Sequence, residues 1–189
     1  ANVTTAAGDE AEFVYFDTGK VRMTNYSRAS GTPLVPTAGP TLGSPVATTS
    51  GTAFDYTSLP SGIKRIILSL AGVSLSGTDN LLIQIGDSGG LETSGYVSTA
   101  TDTVSPANST SGFIFMPRAA AQVASGAITL SLLDASTNTW VASGTASTAT
   151  NLAAYMGGNK SLSAVLDRIR VTRTGSNTFD AGKLNIGYE

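Results

Sequence analysis

The segment Gly86-Asp87-Ser88-Gly89-Gly90 has the spacing of a serine nucleophile. It matches the nucleophile segment of chymotrypsin-like proteases and the Gly-x-Ser-x-Gly turn of α/β-hydrolases. A serine hydroxyl attacks only when a neighbouring base takes its proton, and the chain contains no histidine. A Ser–Lys pair remains formally open. Because the segment follows an apolar run and contains three glycines, a tight turn explains it more simply, and we predict no catalytic residue.

Acidic side chains offer a second route to catalysis and a route to metal binding. Asp87 with Glu92, or Asp79 with Asp102, would suit a glycosidase if the two carboxyl groups lay about 5 to 9.5 Å apart. Asp79, Asn80 and Asp87 would offer the oxygen ligands that Ca²⁺ prefers. Short acidic residues in Gly/Ser/Thr loops are, however, typical of Asx-turns. We therefore predict no catalytic carboxylate pair, no metal site and no cofactor.

Three aromatic residues are the better candidates for ligand binding. Trp140 is the single tryptophan, and Tyr96 and Tyr155 lie in other Gly/Ser-rich stretches. Their rings combine a flat apolar face with a polar group, which suits stacking against a sugar. The alternative for Trp140 is a strand residue packed in the core or at a subunit interface. We predict Tyr96, Trp140 and Tyr155 as candidate ligand-binding residues.

The composition excludes several classes of function. Charged residues make up 13% of the chain and hydrophobic residues 41%, and the net charge is −2. Nucleic-acid binding needs clustered Lys and Arg to neutralise phosphates, so we predict no nucleic-acid partner. No apolar run reaches the roughly 18 to 20 residues of a membrane span, so we predict no membrane insertion. Thr, Ser and Gly, with 26, 23 and 21 copies, predict a polar but weakly charged surface.

The sequence divides into three parts. Residues 1–30 contain two short runs on either side of Asp17-Thr18-Gly19-Lys20, which predict a β-hairpin. A lone hairpin is marginal in water, so it needs the rest of the domain or its own copies as partners. Residues 31–46 are rich in Pro, Gly and Thr and predict an extended linker. Residues 47–189 form the main domain.

The main domain is predicted to consist of short strands separated by turns. Its densest apolar run includes Ile63–Ala71, where both strand faces carry apolar side chains, as in a central strand or one covered by a neighbouring subunit. The candidate strands are Thr52–Tyr56, Ile63–Ala71, Leu81–Gly86, Ser94–Ala100, Gly112–Phe115, Ala127–Leu133, Thr139–Ser143, Ser161–Thr172 and Lys183–Tyr188. This pattern predicts an all-β fold, a jelly-roll-like β-sandwich.

Two segments allow a helical alternative. Residues 162–169 place apolar side chains at helical spacing, but the alternation in Arg168–Arg173 favours a strand for at least the second half. Asn151–Met156 has the length for one helical turn ending at Gly157.

Several blocks resemble the C-terminal domain of tailed-bacteriophage fibre proteins. In chain order, these blocks are Gly62–Ile66, Asn80–Gly90, Glu92–Tyr96, Leu166–Thr172 and Thr178–Glu189. Two blocks of the hairpin resemble the segment that often precedes such domains, namely Gly19–Arg22 and Asn25–Ala29. Together the blocks are spread over most of the chain, from Gly19 to Glu189, and occur in family order. The resemblance implies a homotrimeric virion appendage with a β-sandwich tip at its C-terminus, and it carries over no receptor-contact residue.

From the residues and the resemblance we expect a structural protein on the virion surface, in a tail or head appendage. It would assemble with itself as a homotrimer, join other virion proteins through its N-terminal side, and bind a host cell-surface glycan or protein. The absence of His and Cys favours binding over catalysis, so we expect no enzyme. Two alternatives stay open, a capsid-decorating head fibre without receptor binding and a polysaccharide-degrading tip enzyme.

Overall fold

Strands are the only regular elements in the part of the chain that the structure describes. The computed structural model describes residues 6–30, 39–102, 106–115, 120, 122–148 and 152–189. The strands are β1 (Glu10–Asp17), β2 (Lys20–Ser27), β3 (Thr41–Leu42), β4 (Val46–Ala47), β5 (Phe54–Tyr56), β6 (Arg65–Leu75), β7 (Leu81–Asp87), β8 (Gly90–Leu91), β9 (Val97–Thr101), β10 (Pro106–Ser109), β11 (Phe113–Phe115), β12 (Ala124–Asp134), β13 (Thr139–Thr148), β14 (Ala153–Ser161), β15 (Leu166–Arg173) and β16 (Phe179–Tyr188). The predicted all-β class is confirmed. Among these residues there is no helix with the length and apolarity that crossing a bilayer requires.

The N-terminal unit, Ala1–Gly39, contains the predicted hairpin. β1 and β2 pair antiparallel around a turn, and Gly19 in that turn has a φ of 76°, a left-handed conformation that glycine adopts without steric cost. Beyond the open end of the hairpin, the Asp9 carboxylate accepts hydrogen bonds from the Tyr26 hydroxyl and, at 3.1 Å, from the backbone N–H of Ala29. The hairpin is therefore tied together at both ends.

The C-terminal unit, Pro40–Glu189, consists of two antiparallel sheets. The large sheet has the strand order β10-β9-β14-β13-β12-β6-β16-β3, with β4 also paired to β16. The small sheet has the order β11-β7-β15-β5, with β8 also paired to β7. The chain crosses between the two sheets repeatedly. β5, β7, β8, β11 and β15 belong to the small sheet, and the other strands of the C-terminal unit belong to the large one.

β6 and β7 account for the densest apolar run of the sequence. β6 is an internal strand of the large sheet, between β12 and β16, as the two apolar faces predict. Its inward side chains Ile66, Leu68 and Leu70 are buried, whereas Ser69 and Ala71 on the other face are exposed. β7 is buried along its entire length. The two strands therefore place one apolar face of each sheet in the core.

Buried side chains from both sheets form one apolar cluster, consistent with the predicted β-sandwich. Its largest members are aromatic: Trp140 on β13, Tyr96 next to β9, Phe113 and Phe115 on β11, and Phe179 on β16. Burying each such side chain contributes about 1.5 to 3 kcal/mol, so these rings are a major part of the core energy. The jelly-roll arrangement stays a prediction.

The predicted helical turn at Asn151–Met156 is wrong in its described part. Residues 153–161 form β14, which pairs with β13 on one side and with β9 on the other. Because both neighbours offer backbone partners, a strand satisfies the N–H and C=O groups that a single helical turn would leave open. The helical alternative for residues 162–169 is also excluded, since β15 begins at Leu166 and no helix precedes it in the described residues.

The predicted linker overlaps the C-terminal unit. β3 and β4, at the end of residues 31–46, pair with β16, and the division between the two units falls at Gly39 and Pro40. Residues 31–38 lie outside the described residues. Two-residue strands carry no hydrophobic alternation, so the sequence offers no signal for β3 and β4.

Candidate binding face

Tyr96 and Trp140 do not present their rings to a ligand, which corrects the sequence prediction for both. Tyr96 is 1% exposed and Trp140 is 2% exposed. The Tyr96 hydroxyl accepts a hydrogen bond from the backbone N–H of Ile85 at 2.8 Å and lies 2.9 Å from the carbonyl oxygen of Glu92. Burial raises the pKa of the Tyr96 hydroxyl well above its ordinary value. Trp140 is packed in the core, as the alternative interpretation of this residue predicted.

Tyr155, the third predicted residue, is 48% exposed. It lies on β14, and its neighbours in sequence, Ala154 and Met156, are buried. Because side chains alternate across a strand, Tyr155 projects from the side of the large sheet that faces away from the core. The structure therefore places one of the three predicted residues on a surface and separates it from the other two.

The strand register places Tyr155 within three parallel rows of side chains on this surface. The rows cross β12, β13, β14, β9 and β10, and we call them together the outer face. The first row is Ala127, Thr145, Tyr155, Thr101 and Pro106; the second is Thr129, Ser143, Gly157, Thr99 and Asn108; the third is Ser131, Val141, Asn159 and Val97. None of these residues is charged. With strands about 4.8 Å apart, the face is about 19 Å wide.

Gly157 leaves a gap near the centre of the outer face. Along β14 it lies between Tyr155 and Asn159, and across the sheet it lies between Ser143 and Thr99. A Cβ atom at Gly157 would meet its first neighbour only at 3.9 Å, so the space above it is open. The aromatic ring of Tyr155, the amide of Asn159 and the hydroxyl groups of Ser143 and Thr99 thus surround a position that has no side chain. We call this arrangement the Gly157 notch.

The polar groups around the notch are available to a ligand. Within the described part of the chain, the side chains of Ser143, Thr99 and Asn159 make no hydrogen bond, and all three residues are exposed. Beside the notch, a groove of about 410 Å³ lies over the paired strands β9 and β10 and is lined in part by Val97, Thr99 and Asn108. Val97 is 65% exposed. The notch and the groove share Thr99 and form one continuous surface.

A buried ion pair lies on the opposite side of β14. The Lys160 ammonium pairs with the Glu92 carboxylate and lies 5.5 Å from the centre of the Tyr96 ring. The Glu92 carboxylate also accepts hydrogen bonds from the backbone N–H and the hydroxyl of Ser163, at 2.7 and 2.6 Å. Burial acts to raise the pKa of Glu92, but the hydrogen bonds from Lys160 and Ser163 outweigh it and hold this pKa below its ordinary value. This cluster connects β14 to the segments that contain Glu92 and Ser163.

The segment Gly86–Gly90 forms a tight turn, as the simpler interpretation predicted. It connects β7 to β8, and Asp87 pairs with Gly90 in the ladder. The Asp87 carboxylate accepts a hydrogen bond from the backbone N–H of Gly89 at 2.8 Å. That contact is an Asx-type turn, which accounts for the acidic residue in this segment.

Asp79 and Asp87, two of the residues considered for calcium, lie far apart. Glu92, considered with Asp87 for glycosidase chemistry, is paired with Lys160. Asp79 precedes β7 and Asp87 ends it, so the strand rise of about 3.3 Å per residue puts them more than about 20 Å apart. Asp79 instead accepts a hydrogen bond from the Asn177 backbone N–H at 2.7 Å, and Asp102 is buried. In the described ranges, no three His, Cys, Asp or Glu side chains are grouped to hold a metal ion.

The residues around Tyr155 were not predicted from the sequence. Gly157, Asn159, Ser143 and Thr99 have no motif of their own. The signal that was present is the two-residue spacing of Tyr155, Gly157 and Asn159, which places all three on one face once residues 153–161 form a strand. The incorrect helical turn concealed this spacing.

Comparison of the chain with protein-family models, with curated proteins and with solved structures found no match.

Proposed function

We propose that the chain is the distal part of a bacteriophage fibre and that it binds a receptor on the host cell surface. The observation that carries the proposal is the outer face, an uncharged surface about five strands wide with the half-exposed Tyr155 beside the open floor of Gly157. Binding surfaces are depleted in charged residues and enriched in Tyr at their centres. The ordered sequence blocks that resemble phage fibre tips support the same proposal.

Exposed side chains on the hairpin support assembly of the chain with its own copies. Six apolar residues of β1 and β2 are between 40% and 65% exposed: Phe13, Val14, Tyr15, Phe16, Val21 and Met23. The register puts Phe13 opposite Met23 and Tyr15 opposite Val21, so these four side chains share one face. Val14 and Phe16 lie on the other face, because side chains alternate along a strand.

A trimer would cover both faces of the hairpin. A two-stranded hairpin is marginal alone, and an exposed apolar patch of this kind indicates an interaction site. One partner on one face would leave the other face in water, whereas a closed ring of three gives each hairpin a neighbour on either side. We propose that three chains assemble in this way and that other virion proteins join on the N-terminal side.

Attachment of the labelled full chain to a panel of bacterial strains tests the proposed function. We expect saturable attachment to a subset of strains, with no release of reducing sugar from their surface polysaccharides. A chain that assembles but attaches to no strain would contradict receptor binding and favour a decorating virion protein. Release of reducing sugar would contradict pure adhesion and favour a polysaccharide-degrading tip.

A further inference from the structure

We infer that the Gly157 notch binds a neutral glycan, with a sugar ring stacked on Tyr155 above the floor at Gly157. This inference rests on the proposed receptor-binding function and names the class of its ligand. The notch offers one aromatic face, two hydroxyl groups and one amide around an open floor. Those groups match a ligand that has apolar ring faces and many hydroxyl groups, because each hydroxyl of the ligand then finds a donor or an acceptor.

The width of the notch favours a single sugar ring as its occupant. Neighbouring side chains across the sheet are about 5 Å from Gly157, and those along β14 are about 7 Å away. The gap at Gly157 is therefore about as wide as one six-membered ring. The groove over β9 and β10 includes Thr99 and gives room for the next unit of a glycan chain.

The charge of the surroundings selects a neutral ligand over an acidic one. None of the residues in the three rows of the outer face is cationic, so a carboxylate or sulfate on the ligand would lose water without gaining an opposite charge. Lys160 follows Asn159 directly but is buried on the inner side, where it pairs with Glu92. Arg65, where the third row continues onto β6, pairs with Glu189. Lys160 therefore faces away from the notch, and Arg65 lies three strands away from β14.

Binding of the full chain to immobilised glycans tests the inference. One set carries only hexoses, deoxyhexoses and N-acetylhexosamines, and the other carries sialic or uronic acids. We expect binding within the neutral set. Tyr155→Ala should weaken it by at least about tenfold, the effect of truncating a central aromatic side chain, whereas Tyr155→Phe should keep it because the stacking face remains. Val165→Ala, which shortens another exposed side chain of the same unit, is the matched control and should bind as the wild type does.

The possible outcomes separate this inference from the proposed function. Preference for acidic glycans, or equal binding by Tyr155→Ala and Val165→Ala, would overturn the neutral-glycan site. Attachment to bacterial cells without binding to any glycan would overturn the glycan inference and leave receptor binding in place. Failure of both assays would overturn both. Unchanged thermal unfolding of Tyr155→Ala would show that any loss comes from the surface and not from the fold.

Discussion

The ion pair of Lys160 with Glu92 stabilises the sheet on the side opposite to the outer face. The Lys160 side chain is 8% exposed and that of Glu92 is 21% exposed, so removing the carboxylate leaves a buried cation without its partner. Breaking such a pair typically costs about 3 to 5 kcal/mol. We expect Glu92→Gln to lower the free energy of unfolding by an amount near the lower end of that range, measured by urea denaturation at pH 7.

The matched control is the more exposed pair of Arg65 with Glu189, where both side chains remain at least 33% exposed. Exposed pairs contribute at most about 1 kcal/mol, so Glu189→Gln should change the stability little. Equal effects of the two substitutions would contradict the structural role assigned to the buried pair.

The Glu92 carboxylate also makes the stability of the fold depend on pH. Because the pKa of Glu92 in the folded chain lies below its ordinary value of 4.5, its contribution to stability is fully present above pH 4.5. It is lost as the pH falls through the lowered folded pKa. Urea denaturation between pH 7 and pH 3 should therefore show a steeper loss of stability in acid for the wild type than for Glu92→Gln; parallel curves would contradict this assignment.

Trp140 and Tyr155 should respond in opposite ways to truncation. Trp140 is 2% exposed and packs in the core, so Trp140→Ala should lower the free energy of unfolding by about 3 to 5 kcal/mol. Tyr155→Ala removes a half-exposed side chain and should leave the thermal unfolding midpoint almost unchanged. A stable Trp140→Ala variant would contradict the core position of this ring.

Glycines within strands differ in the space around them. Gly182 on β16 has a φ of 91°, and a Cβ there would lie 2.3 Å from the backbone oxygen of Gly72 on β6. Gly182→Ala should therefore cost more than about 1 kcal/mol of stability, measured by thermal unfolding. Gly157→Ala is the control, since its Cβ meets only an atom at 3.9 Å, and it should be neutral. Equal losses would contradict the close approach of β6 and β16.

At the scale of elements, the sequence predicts strands well where alternation and turn residues coincide. β1 and β2 form on either side of the predicted turn, and β7 ends only one residue beyond its predicted bound, since Gly-containing turns flank these strands. β6 begins two residues after its predicted start and ends four residues beyond its predicted end. β14 was missed because its small residues, Ala153, Ala154, Gly157 and Gly158, give weak hydrophobic contrast. The strand forms because β13 and β9 supply pairing on both sides, which is a tertiary effect. The candidate site depends on that strand, and therefore only Tyr155 was predicted.

The hairpin β1–β2 is the element to which we assign assembly. Replacing Phe13 and Tyr15 by Ser makes one of its exposed faces polar. We expect this double variant to sediment with the mass of one chain, 19.1 kDa, whereas the wild type sediments with about three times that mass. Val165→Ser, which changes an exposed residue of the C-terminal unit, should leave the mass unchanged. A wild-type chain that is monomeric at micromolar concentration would contradict the trimer.

At the scale of the whole molecule, assembly and adhesion should combine as avidity. Once one outer face of a trimer is bound to a cell, binding of the other two becomes intramolecular. Attachment to the cell is then stronger by about 100-fold or more, although no new kind of contact is made. The Phe13→Ser and Tyr15→Ser double variant should therefore keep the affinity of the wild type for a soluble monovalent glycan but attach to cells much more weakly. Equal attachment of both to cells would show that one face is sufficient.

The most direct test of adhesion through the outer face measures the attachment to cells of a full-length variant in which a side chain fills the Gly157 notch. Gly157→Val places a branched side chain in open space on a strand, where it should not disturb folding. We predict that Gly157→Val unfolds at the same temperature as the wild type and loses attachment to the strains that the wild type binds. Undiminished attachment of this folded variant would contradict the account.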